Sequence, residues 1–249
     1  MANERLRAAV FAAGLGPEEV AERLGVDRKS VDRWIEGKIP YRRNQHAIAR
    51  LLQVDPGYLW PSSSPEAARS LALAEVVGIW PIRSLVGNQR WIDLFAAASR
   101  QIDILVYAGF WLSEDPAVRS TLLARARAGV RLRLVFGDPR AEAVRLRGRE
   151  EGIGDAIAAK IANTVHNYAG VLGTAGVEAR MHSTTLYCSI YRGDEEMLVN
   201  THLYGQAGHM TPLLHLRRVP GAELFASYQA SFERVWELAR PLDLGAIAA

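Results

Sequence analysis

A single cysteine, Cys188, occurs in the 249 residues, so no internal disulfide can form and the chain suits a reducing compartment. No apolar run approaches the roughly 20 residues that a membrane span requires. The opening text "MANERLRAAVFAAGLG" carries an early Glu4 and soon returns to "PEEVAERLG", unlike a secretory leader. A cytoplasmic chain without membrane contact is expected. There is no cysteine pair and no H-E-x-x-H spacing, so the histidines form no metal-binding pattern. "GLG" and "GIG" do not sit between a strand and a helix as phosphate-cradling glycines do. Neither a metal nor a cofactor is expected. Charge of one sign is also missing. Thirty Lys and Arg against 27 Asp and Glu leave a net charge of +3, too little to mark the whole chain for nucleic acid.

What is present is divided in two. "WPSSSPEAARS", Trp60 to Ser70, has two prolines and three consecutive serines and reads as a linker. The text before it is helical; the text after a short helical lead-in alternates strands and helices. The expected organisation is a small all-α domain at 1–61, a linker at 62–74 and an α/β domain at 75–249.

"GPEEVAERLGVDRKSVDRWIEG" carries the clearest local signal. Pro17 can open a helix because its missing N–H costs nothing there. Val20, Ala21 and Leu24 make an apolar stripe, and Gly25 ends the helix in a left-handed turn. Asp27 caps a second helix with Val31, Trp34 and Ile35 facing inward. Its other face holds Arg28, Lys29, Asp32 and Arg33, with Ser30 beside them, at the end that meets base edges when such a helix enters a major groove. Arg and Lys donate to guanine, and Asp can accept from cytosine. Between Arg28 and Arg43 stand six basic residues against two acidic ones, a local excess that favours a phosphate backbone. A further helix is expected from about Asn44 to Leu52, with Lys38, Arg42 and Arg43 in the loop before it, placed for phosphates.

The segment Leu6 to Trp60 resembles the repressor-type helix-turn-helix family (Cro/C1-like, or XRE). The residues that carry the likeness are "AERLGVDRKSVDRWIEGK" and "AIARLLQVDPGYLW". The resemblance implies double-stranded DNA as a partner. The bulkier "IPYRR" departs from the small-residue-plus-proline segment usual in that family.

The second domain is expected to hold a mixed sheet flanked by helices. "IDILVYAGF", the helix "DPAVRSTLLARARAG" capped by Asp115, and "VRLRLVFGDP" form a parallel βαβ unit. A helical region over 141–172, broken near Gly152 and Gly154, precedes the strands "VEARMHSTT", "LYCSIYR", "EMLVNTHLYG" and "LLHLRRV". A last helix carries Leu224, Tyr228, Phe232, Val235 and Trp236 on one stripe. This order, with "ARAGVRLRLVFGDP" and the closing "SFERVW", resembles the phospholipase D-like fold. That family's motif is H-x-K-x-x-x-x-D. Counted from His182, Thr184 stands at the lysine position and Ser189 at the aspartate position, and no second copy of the motif is found. The resemblance therefore implies a degenerate site. His182, Thr184, Asn200, His202 and Tyr204 could converge on a pocket walled by Tyr107, Phe110 and Trp111. Three functions are compatible with this text. One is a homodimeric transcriptional regulator that senses a small ligand, phosphorylated compounds included. Another is a phosphodiesterase or nuclease of unusual motif delivered to DNA. The last is a second domain that only dimerises.

Overall fold

The computed structural model describes residues 3–60 and 65–243. The chain divides into two compact units, one of the residues up to Ala74 with Pro220–Ala222 and one of Glu75–Val219 with Glu223 onward.

The first unit is all helical: α1 (Glu4–Ala12), α2 (Pro17–Leu24), α3 (Arg28–Ile35), α4 (Arg42–Leu52) and α5 (Pro56–Leu59). Asn3 caps α1 by accepting from the Leu6 N–H at 3.0 Å and donates to the Leu59 carbonyl at 2.9 Å, tying the start of the unit to its end. Gly25 adopts φ +63° and turns the chain between α2 and α3, a conformation that costs a residue with a Cβ about 1 kcal/mol. Asp27 then accepts from the Lys29 N–H at 2.7 Å and caps α3. Leu6, Val20, Val31, Trp34, Ile48 and Leu59 make the core. Helix α4 starts at Arg42, so Arg42 and Arg43 occupy its first turn rather than the loop expected from the sequence. Tyr41, with ψ of 148°, is the extended residue from which the helix departs. Helix α6 (Pro65–Glu75) occupies most of the stretch read as a linker. Pro65 begins it at the position where a proline leaves no N–H unpaired, and the Ala-, Leu- and Glu-rich text that follows propagates it. Residues 61–64 of that stretch lie outside the described residues.

The second unit is a mixed eight-stranded sheet in the order β1-β7-β6-β5-β2-β3-β4-β8. Its strands are β1 (Val76–Trp80), β2 (Gln101–Leu105), β3 (Arg131–Gly137), β4 (Val177–His182), β5 (Cys188–Gly193), β6 (Glu196–Thr201), β7 (Leu213–Arg217) and β8 (Arg240–Pro241). β2, β3 and β4 run parallel; the other neighbours are antiparallel. The helices are α7 (Gln89–Ala97), α8 (Phe110–Ser113), α9 (Pro116–Arg127), α10 (Glu142–Glu150), α11 (Ala156–Asn167), α12 (Ala169–Leu172) and α13 (Leu224–Leu238). Short 3-10 turns lie at Arg83–Leu85 and Gly208–Met210. Buried Ile102, Ile104, Leu132, Leu134 and Phe136 place the main core on the central strands.

One row across those strands is charged. Asp103 of β2 lies opposite Arg133 of β3 and Arg192 of β5. It accepts from Arg133 Nε at 2.7 Å and Nη2 at 3.0 Å, and from Arg192 Nη1 at 3.0 Å. Arg133 also donates to both oxygens of Glu233 on α13, at 2.7 and 2.8 Å. Burial works against its charge, but the bonds from Glu233 and Asp103 outweigh it and raise its pKa further.

The turn between α10 and α11 is set by Gly148. A Cβ there would stand 2.2 Å from the Gly154 carbonyl oxygen, a fixed backbone atom. Gly148→Ala is expected to destabilise the chain by about 1–3 kcal/mol despite alanine's better helix propensity. Denaturant unfolding checks this, and an unchanged midpoint would show that the turn can yield.

Candidate functional site

A cavity of about 280 Å³ opens at the carboxyl end of β2, beside β5 and β6. Its polar lining includes Arg83, Lys160, Glu151, Ser189, Asn200, His202 and His209. Trp111, Tyr107, Ile153 and Ile157 supply the apolar wall. Ser189 and Tyr191 reach it together because alternate residues of β5 share a face. His202 arrives just past the end of β6, in the chain that leaves the sheet.

His202 and Ser189 form a bonded pair. The His202 Nδ1 lies 3.2 Å from the Leu186 carbonyl, and its Nε2 lies 3.0 Å from Ser189 Oγ. A carbonyl only accepts, so Nδ1 carries the proton and Nε2 accepts from the Ser189 hydroxyl. Burial, and then the nearby Arg147 guanidinium, push the His202 pKa down to about 4. The ring is therefore neutral near pH 7. Its face stacks on Tyr107, with centroids 5.6 Å apart. Tyr107 and His202 also border a second cavity, of about 200 Å³, so the stacked pair stands between the two spaces.

Arg83 comes from the 3-10 turn after β1. Only 7% exposed, it lays its guanidinium 3.8 Å over the Trp111 ring, and its Nε reaches the Gly208 carbonyl at 3.4 Å. Burial lowers its pKa, countered in part by Tyr191 and Glu151. Glu151 itself accepts from Arg147 Nη2 at 2.7 Å.

Of the residues named from the sequence, the structure gathers Tyr107, Phe110, Trp111, Asn200 and His202 at the first cavity. Two of them have spent their polar groups inside the fold. The Tyr107 hydroxyl accepts from the Leu186 N–H at 2.8 Å. The Asn200 amide nitrogen donates to Thr211 Oγ1 at 2.9 Å and to the Pro212 carbonyl at 3.0 Å. Tyr204 is 88% exposed and borders the second cavity instead. His182, expected in the pocket, lines neither cavity. It is fully buried at the end of β4, with Nδ1 3.1 Å from the Thr184 carbonyl and Nε2 3.2 Å from the Val106 carbonyl. Burial lowers its pKa as well. Thr184 follows the strand, meets His182 through its carbonyl and lines neither cavity. Arg83 and Lys160 were not anticipated: each is a lone cation in unremarkable text, and only the fold brings them together.

In the first unit, Arg28, Lys29 and Arg33 are exposed on α3, and Ser30 and Asp32 are half-buried beside them. Arg28 meets Glu18 at 3.1 Å, and Arg33 Nη2 reaches Ser30 Oγ at 3.3 Å. Lys38, Arg42 and Arg43 are exposed.

The depressed His202 pKa carries a pH signature. Below about pH 6.5 the unfolded chain takes up a proton at this ring that the folded chain refuses until about pH 4. Stability is then expected to fall as pH falls through that window and to stop falling from this source below it. Burial of His182 acts in the same direction. Urea midpoints measured from pH 8 to 4 check this: His202→Gln should flatten the decline relative to the parent chain. Parallel profiles would show that His202 titrates normally.

Residues 72–243, more than half of the chain, match the family described as "Domain of unknown function (DUF5919)", and the chain belongs to that family. No curated protein sequence matches it. Among solved structures it is similar to Nuc from Salmonella typhimurium, a phospholipase D family member. Identity is 16% and the TM-score 0.40, over 66% of this chain and 95% of that one. NucT from Helicobacter pylori matches at 9% identity and a TM-score of 0.39, over 72% and 94% of the two chains. TrmBL2, an archaeal chromatin protein, matches at 12% identity and a TM-score of 0.45, over 86% of this chain and 66% of that one. No described helix is long and apolar enough to cross a membrane. Among the described residues no cluster of His, Cys, Asp and Glu is placed to hold a metal.

Proposed function

We propose that the chain is a DNA-binding transcriptional regulator. Its first unit acts as a repressor-type helix-turn-helix head. Its second unit is a catalytically degenerate phospholipase D-like effector that binds a small ligand and pairs two chains. The observation that carries the DNA reading is the split of α3: Val31 and Trp34 are buried, while Arg28 and Lys29 stand exposed in the capped first turn and Arg33 stands exposed in the last. A helix N-terminus of this charge suits the edges of bases and the phosphates beside them. The effector reading rests on the mixed apolar and polar cavity, which has the make-up of a small-molecule site. It rests also on Thr184 and Ser189 standing where the phosphodiesterase motif needs a lysine and an aspartate. A ligand acts on such a regulator only if it prefers one arrangement of the two heads over the other.

The alternative is a phosphodiesterase or nuclease brought to DNA by the head. A neutral His202 facing the same cavity as Arg83 and Lys160 favours it, since these supply a base and two cations.

Two measurements on the full chain separate the readings. Selection from random duplexes should yield a two-fold site with half-sites about 34 Å apart or a multiple of that, bound by a dimer. Bis-p-nitrophenyl phosphate should not be hydrolysed. Hydrolysis abolished by His202→Ala would overturn the regulator reading in favour of the enzyme. A chain that stays monomeric in ultracentrifugation and selects no sequence would overturn both the pairing and the operator.

A further inference from the structure

We infer that Arg83 and Lys160 form the anchor for the acid group of an organic oxyanion, a carboxylate or a phosphate monoester carrying a planar apolar body. This rests on the reading of the cavity as a ligand site and names its ligand class.

Four arginines of the second unit are buried. Arg133, Arg147, Arg192 and Arg83 are 5, 4, 9 and 7% exposed. Three of them are matched by carboxylates: Arg133 by Asp103 and Glu233, Arg147 by Glu151, and Arg192 by Asp103. Among the described residues no carboxylate pairs with Arg83 within 4 Å, and the one hydrogen bond of its side chain is the long one from Nε to the Gly208 carbonyl. A buried cation without an anion is costly, and stacking on Trp111 offsets only part of that cost. Carboxylates and phosphates bind an arginine edge-on and in bidentate fashion, which leaves its face free to stay over a ring such as Trp111.

Lys160 borders the same cavity from α11 and likewise has no ion pair among the described residues. The acid that shares the lining, Glu151, is already held by Arg147 at 2.7 Å. His202 is neutral, and Ser189 is turned toward it, so neither competes for the cations. His209, exposed, also borders the cavity, and Trp111, Tyr107, Ile153 and Ile157 give it an apolar and aromatic wall. A volume of about 280 Å³ takes an acid group and one ring. A neutral ligand would leave two cations facing it unmatched. A bare inorganic ion would leave the aromatic wall empty.

The test uses the full chain, with calorimetry and thermal melting at constant ionic strength, and three probes of one shape: benzoate, phenyl phosphate and benzyl alcohol. At least one of the two acids should bind saturably and raise Tm, and which of them does so distinguishes carboxylate from phosphate. Lys160→Gln should weaken that acid by about 10–100-fold, the scale of one lost charged hydrogen bond. It should not lower the melting point of the free protein, because Lys160 has no ion pair to lose among the described residues. Arg83→Lys should weaken the acid at least as much, since a point charge cannot replace the fork. Benzyl alcohol binding as tightly as the acids would overturn the anchor while leaving a ligand cavity in place. Acid binding unmoved by Lys160→Gln and Arg83→Lys would overturn it as adventitious. No saturable binding of any probe would overturn both the anchor and the ligand-sensing reading, and duplex binding, measured separately, would be untouched.

Discussion

An Asp103→Ala chain should unfold about 3–5 kcal/mol more easily than the parent, the scale at which a broken buried ion pair is felt. Asp103 is 1% exposed and takes hydrogen bonds from Arg133, Arg192 and Gln101. Its removal leaves Arg192 without a carboxylate and Arg133 with Glu233 alone. The three residues lie side by side on β5, β2 and β3, so the loss falls at the centre of the sheet. The size comes from stranded charge and not from lost attraction. A second change should therefore recover part of it: Asp103→Ala with Arg192→Met should be more stable than Asp103→Ala alone. Urea unfolding measures both. A loss below about 1 kcal/mol for the single variant would mean that water reaches the row and screens its charges.

The other large effect is expected on duplex binding. Arg28→Ala and Arg33→Ala should each cost about 1–3 kcal/mol toward the selected site and relax its sequence at one position. Neither should disturb folding, because both side chains are exposed and their bonds to Glu18, Asp32 and Ser30 are surface contacts of small worth. Arg42→Ala or Arg43→Ala should act differently. From the first turn of α4 they would weaken all duplexes alike and lower the salt dependence by about 0.9 per lost phosphate contact. Titration by fluorescence anisotropy at several salt concentrations separates the two patterns. If both α3 variants kept affinity and specificity, α3 would not be the reading helix.

Much of this architecture is legible in the sequence because it is written in local chemistry. Asp115 before Pro116 announces α9, and the structure shows Asp115 accepting from the Ala117 N–H at 2.8 Å. Gly25 and Asp27 mark the turn between α2 and α3 in the same way. β1 escaped notice because "VVGIW" is short, interrupted by glycine and preceded directly by a helix. β8 is two residues and exists only as a partner for β4. The site was less legible. Alternation along a strand says which residues share a face, but not whether that face is open. His182 looked like a ligand and is sealed between two carbonyls. Arg83 looked like nothing, since being unpaired is a property of its neighbours in space, and these come from parts of the chain up to 125 residues away.

The carboxylate of Glu75 is wholly buried and accepts from the Leu224 N–H at 2.7 Å and the Phe225 N–H at 3.1 Å, so the first residue of the second unit closes the first turn of its last long helix. β2, at the middle of the sheet, likewise pairs with β5 some 90 residues downstream. Pairings over such separations form late, because the intervening loop must close before any contact rewards it. On the ribosome the unit can reach its final form only after α13 has left the exit tunnel. Until then β2 and β3 carry an unpaired edge and a bare apolar face. Helices α1 to α5, which end by Leu59, would meanwhile be out of the tunnel and able to fold, so that during synthesis the first unit would be built while the second was still open.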